Sequence, residues 1–128
     1  MATPEGRIKR KVSNLLKRLP HCYYFMPVQT GLGATTLDYL GCCAGHFFAI
    51  ETKKDNKSKL TPRQLITKAK IEAVSGTVFL VYDDESLTQM HARLNLMILH
   101  PASYFWTTTG ARHYLSQLSN SDLIMERE

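Results

Sequence analysis

Hydrophobic and polar positions alternate along this chain with periods that change from segment to segment. Ile8, Val12, Leu15, Leu16 and Leu19 recur at helical spacing, with basic residues between them. Thr3-Pro4-Glu5 before them supplies an N-cap, a proline at the first helical position and an acid at the positive helix end, and Pro20 closes the element. Tyr23 to Met26 then reads as a short strand closed by Pro27. Leu37–Cys43 and His46–Lys53 read as two strands joined by a tight turn at Ala44-Gly45. Thr61-Pro62-Arg63-Gln64 has the pattern of a capping box and opens a second helix. Its expected inward stripe is Ile66, Ala69, Ala73 and Val74, and Gly76 is expected to stop it. Thr77–Tyr82 is apolar throughout, the pattern of a strand covered on both faces.

Beyond Asp83-Asp84-Glu85 propensity suggests a helix over roughly 86–96 and another near Ala111–Leu118. Tyr104-Phe105-Trp106 reads as a last strand or an apolar patch. Thr30-Gly31-Leu32-Gly33 reads as a flexible loop, since no GxGxxG or Walker pattern is present. The order helix, three strands, helix, strand predicts an α/β sandwich on a mixed sheet. We expect a single domain over 1–128, with a core at 3–82 and a mainly helical C-terminal extension at 83–128.

Composition narrows the class. The 128 residues are 44% hydrophobic and 21% charged, as in an ordinary globular chain. No apolar run approaches the ~20 residues of a membrane span, and the basic N-terminus lacks the apolar segment of a secretory signal. Cys22, Cys42 and Cys43 form neither an even set nor a CxxC, so a reducing cytoplasm is expected rather than a disulfide framework or a zinc site. Net charge is +5, but residues 1–70 carry 13 Lys and Arg against Glu5, Asp38, Glu51 and Asp55, whereas residues 71–128 are net acidic. A basic half of this kind suits a polyanionic partner, since phosphate contacts dominate nucleic-acid affinity. A solubilising surface is the other explanation.

Strand alternation places the candidate chemistry. Glu51 and Lys53 share one face of their strand, and a turn at Ala44-Gly45 folds Asp38 back to the level of Glu51. Two adjacent carboxylates repel, by about 1 kcal/mol at 4 Å in water and several-fold more where partly buried. A shared proton, a basic neighbour or a divalent cation would relieve them, and Mg²⁺ suits one or two carboxylates with waters and phosphate oxygens. Lys53 could orient a water or stabilise phosphoryl charge. Glu5 continues the inward stripe of the first helix, and Gln64 in the first turn of the second helix could face the same site. Each residue also has a purely structural explanation: a first-turn acid, a capping box, a strand end, a surface ion pair.

Gly33-x-x-x-Leu37-Asp38-Tyr39-Leu40-Gly41-Cys42, Gly45–Lys53 with its Glu51-Thr52-Lys53, and Leu60-Thr61-Pro62-Arg63-Gln64 together resemble the PD-(D/E)xK nuclease superfamily, and within it the VRR-NUC group of small stand-alone phage and bacterial nucleases. The resemblance spans about residues 3–82. Leu37 stands where the family usually has proline; proline is not a ligand there. The resemblance implies a restriction-endonuclease-like core and Mg²⁺- or Mn²⁺-dependent hydrolysis of DNA phosphodiester bonds. Asp38, Glu51, Lys53, Gln64 and Glu5 would be catalytic. Asp38, Glu51, the Thr52 backbone carbonyl and Glu5 would hold the metal. Arg7, Lys11, Lys54, Lys57, Lys59 and Arg63 are expected to track the DNA backbone. Stand-alone members are typically homodimers acting on branched DNA such as four-way (Holliday) junctions, which places the protein in a bacterial cell or phage-infected host and predicts no membrane association. The alternative is a catalytically silent nucleic-acid-binding module on the same fold. A protein-binding module using Tyr104-Phe105-Trp106 is a third class. A metal-free hydrolase is poorly supported, because His21, His46, His91, His100 and His113 lie scattered.

Overall fold

The computed structural model describes residues 3–29 and 35–102. The elements run α1 (Pro4–Arg18), β1 (Cys22–Phe25), β2 (Tyr39–Cys43), β3 (His46–Thr52), α2 (Pro62–Ala73), β4 (Thr77–Val81) and α3 (Asp84–Leu99). The strands form one mixed sheet in the order β1-β2-β3-β4, antiparallel as far as β3 and parallel between β3 and β4.

Local chemistry explains where the elements begin and turn. Thr3 caps α1 by accepting the Gly6 N–H, and Pro4 occupies its first turn. Ala44 and Gly45 both have positive φ, 49° and 88°, the condition for a two-residue turn that matches strand twist. That turn sets the β2–β3 register, pairing Cys43 with His46 and Tyr39 with Ile50. Gly41 must lack a Cβ: one built there would lie 2.5 Å from both the Phe48 ring and the Tyr23 carbonyl oxygen. Adjacent cysteines on β2 face opposite ways, Cys43 buried and Cys42 exposed. Cys43 lies across from Cys22, whose thiol burial pushes up to about 12.

The core lies on one face of the sheet. Tyr39, Cys43, Phe48, Ile50 and Val81 pack there against Val12, Leu15 and Leu16 of α1 and Met90, Leu94 and Met97 of α3. The helix expected near 86–96 is therefore part of the core, which continues past residue 82. Its C-terminal end is tied to the β2–β3 turn by Ala102 N–H to the Ala44 carbonyl (2.9 Å) and by a 2.7 Å contact between His46 Nε2 and the His100 carbonyl.

Three details differ from the sequence expectation. Helix α2 has no buried residue, and its supposed inward stripe is turned outward, Ile66 at 57% and Val74 at 79% exposure. Gln64, Thr67, Lys68 and Ile71 take the more covered side instead, because α2 is aligned by its polar first turn rather than by an apolar stripe. Ser75, with φ of 69°, makes the left-handed turn after α2, while Gly76 donates to the Ile71 carbonyl at 2.9 Å. Strand β4 is an edge of the described sheet, and only Val81 of it is fully buried. Its apolar run reflects the hydrophobic side chains of an edge strand flanked by helices rather than burial on both faces. Loop 30–34, Tyr104-Phe105-Trp106 and the helix near Ala111–Leu118 lie outside the described residues.

Candidate active site

One step beyond the Tyr39–Ile50 pair, the antiparallel register brings Asp38 opposite Glu51. The Asp38 N–H donates to Glu51 Oε1 at 3.1 Å. Asp38 Oδ2 accepts from the Thr52 N–H at 2.9 Å and from the Thr52 hydroxyl at 2.7 Å. Each carboxylate is thus oriented by a backbone donor of the neighbouring chain segment, so the strand register itself fixes the pair.

Two further predicted residues join this cluster. Lys53 Nζ lies 3.7 Å from Glu51 Oε2 and donates to Gln64 Oε1 at 3.0 Å. Gln64 Nε2 donates to Glu51 Oε2 at 2.7 Å, while its Oε1 also accepts the Thr61 N–H at 2.9 Å. Gln64 therefore closes the capping box of α2 and bridges Glu51 to Lys53 with the same side chain.

The electrostatics leave a negative charge undercompensated. Glu51 is 4% exposed, and burial, followed by the Asp38 charge, pushes its carboxyl up from 4.5 to about 7. The Asp38 N–H and Lys53 offset part of this, and Glu5 adds repulsion. Asp38 Oδ1 receives no hydrogen bond among the described residues, and its cationic neighbour is Lys9 Nζ at 3.7 Å. No three His, Cys, Asp or Glu side chains converge among the described residues to form a complete metal cage. Two carboxylates beside a small polar cavity are instead the donor set a hard divalent cation takes when waters or substrate oxygens fill its remaining positions. That cavity, about 170 Å³, is lined by Asp38, Glu51 and Gln64 with Gln29, Thr36 and Arg63 among others.

The other predicted residues sit at different distances from this centre. Glu5 lies in a neighbouring cavity with Lys53, Lys54 and Ser58, on the α1 side of the lysine. Thr52 meets Asp38 through its N–H and hydroxyl. Arg63 lines the carboxylate cavity, and Lys54, Lys57 and Lys59 stand exposed on the loop between β3 and α2. Arg7 is exposed on α1, and Lys11, also exposed, donates to Asp84 at 2.7 Å in a surface ion pair. A larger cavity of about 490 Å³ lies against β4 and α3 and contains none of the predicted residues.

Sequence reasoning missed two participants. Lys9 follows Glu5 by one helical turn, and that i,i+4 spacing was the available signal for its facing the site. The Thr52 hydroxyl was missed because alternation places it on the core face, and only the strand end lets it reach Asp38.

Among solved structures the chain is similar to one titled "VRR_NUC domain", at 23% identity and a TM-score of 0.56. The likeness covers 77% of this chain and 98% of that one. The fold is that of a VRR_NUC domain. No family model and no curated protein matches the sequence. The shared architecture is the mixed four-stranded sheet with flanking helices on whose strand ends Asp38, Glu51 and Lys53 stand. No helix of the described residues is long and apolar enough to cross a membrane.

Proposed function

We propose that this chain is a metal-dependent endonuclease that hydrolyses phosphodiester bonds in DNA. The observation that carries the reading is the Asp38–Glu51 pair held side by side with Lys53 and Gln64, on a fold shared with a VRR_NUC domain. Asp38 and Glu51 would hold Mg²⁺ or Mn²⁺, with the Thr52 carbonyl as a further oxygen and Glu5 contributing directly or through water. The bound cation supplies Lewis-acid charge to the phosphoryl group and lowers the pKa of a bound water.

Lys53 positions the attacking water and offsets charge developing on the phosphate. Gln64 keeps that ammonium in place and at the same time holds Glu51 Oε2. Arg7, Lys11, Lys54, Lys57, Lys59 and Arg63 track the DNA backbone, Lys11 after leaving its exposed ion pair with Asp84. Such contacts fix position without reading bases, so selectivity rests on DNA shape. The resemblance to stand-alone VRR-NUC nucleases implies a homodimer acting on branched DNA, and a dimer suits the small size of one chain against a junction with several helical arms.

The test is cleavage of a labelled four-way junction and a matched linear duplex with Mg²⁺, Mn²⁺ or EDTA, together with the mass of the protein in solution. Metal-dependent cutting that favours the junction, by a dimer, is expected. Salt-sensitive binding without cutting under any metal would replace this reading with a silent binding module.

A further inference from the structure

The two oxygens of Asp38 are not equivalent. Oδ2 is saturated by the Thr52 N–H and hydroxyl. Oδ1 accepts no hydrogen bond among the described residues, where the Lys9 ammonium faces it at 3.7 Å. That distance is a charge contact without a tight hydrogen bond, and the Lys9 side chain is 36% exposed. Releasing it costs little, because an ion pair whose ammonium reaches solvent and makes no tight hydrogen bond contributes little to stability.

The backbone that carries Lys9 is by contrast fixed. Its carbonyl accepts from the Tyr39 hydroxyl at 2.8 Å, and the fully buried Tyr39 also meets the Ser13 hydroxyl at 2.7 Å. Helix α1 is therefore pinned to the core at this turn, and only the four-carbon stem of Lys9 is free to swing. A cation on a flexible stem is held within reach of the one oxygen of the Asp38–Glu51 pair that accepts no hydrogen bond among the described residues.

We propose that Lys9 is a positioning residue that serves as the exchangeable counter-ion of Asp38 and lowers the metal affinity of the site in the absence of DNA. This rests on the metal-dependent reading above. In the free protein Lys9 balances Asp38 and keeps its free oxygen from standing uncompensated beside Glu51. A divalent cation competing for the same oxygen must displace or repel that ammonium, which weakens its binding. The displaced side chain turns to solvent or to an anionic phosphate nearby.

The experiment is Mn²⁺ binding without DNA, read from the electron paramagnetic resonance of free Mn²⁺, for wild type, Lys9→Gln and Lys17→Gln. Lys17 lies eight residues further along α1, about 12 Å away, so its replacement removes the same charge outside the site. We expect Lys9→Gln to bind Mn²⁺ about three- to fivefold more tightly, with Lys17→Gln unchanged. Thermal unfolding confirms that each variant folds. Equal or weaker binding by folded Lys9→Gln overturns the proposal while leaving the nuclease reading intact, as does equal tightening in both variants. Absence of Mn²⁺ binding in both wild type and Lys9→Gln overturns the metal-dependent reading and this proposal with it.

Discussion

Replacing Glu51 by glutamine removes a charge that the metal-free fold holds at a cost. The Glu51 carboxyl is raised from 4.5 to about 7, so the native protein binds its proton more tightly than the unfolded chain does. Its contribution to stability is therefore complete below pH about 4.5 and is lost as pH rises to about 7. A change of about 2.5 in pKa corresponds to about 3 kcal/mol. Glutamine has no such loss, but it brings its own penalty. Its amide would face Gln64 Nε2, and Gln64 cannot turn over without releasing Lys53 and the Thr61 N–H from its Oε1. A donor facing a donor here costs about 1 kcal/mol. Glu51→Gln should thus be less stable than wild type at pH 4.5 and about 2 kcal/mol more stable at pH 8. Urea unfolding in EDTA across that pH range measures both curves. Added Mg²⁺ at pH 8 should stabilise wild type and not the variant. Parallel pH profiles for the two proteins would mean that the buried carboxyl carries no unfavourable charge.

Other variants probe the supports of the site. Gln64→Ala removes half of the capping box and the bridge between Glu51 and Lys53, so unfolding should be easier by about 1–2 kcal/mol and cleavage should fall with it. Replacing Lys54, Lys57 and Lys59 together by glutamine should weaken duplex and junction alike, and lower the slope of log affinity against log salt by about 2 to 3 if all three meet phosphates. Gly41→Ala forces a Cβ against the Phe48 ring and the Tyr23 carbonyl, and a loss of about 2 kcal/mol is expected on thermal unfolding.

The carboxylate pair was legible in the sequence because two local rules, a two-residue turn and strand alternation, suffice to set Asp38 opposite Glu51. Gln64 was legible through its capping box, which places its side chain at the start of α2 whatever the tertiary structure does. Helix α2 was misread on its apolar residues because a helix docked through its polar end need not bury its apolar stripe, and Ile66 and Val74 stand exposed as a result. The part of α3 in the core was harder still. Met90, Leu94 and Met97 have helical spacing, but nothing local says that they meet Leu16 and Phe48 rather than solvent. Lys9 and the Thr52 hydroxyl depend on how α1 crosses the sheet and on how the strand ends, and neither is a local property.

Lys53 is expected to act on the reaction and not on DNA binding. Cleavage and binding of one labelled four-way junction should be measured for wild type and Lys53→Ala, with Mg²⁺ for cutting and without metal for binding. The variant should bind with wild-type affinity within about twofold, as one lost contact among several phosphate contacts allows, while cutting at least about 100-fold more slowly. A Lys53→Ala protein that binds and cuts as wild type does would remove Lys53 from the reaction.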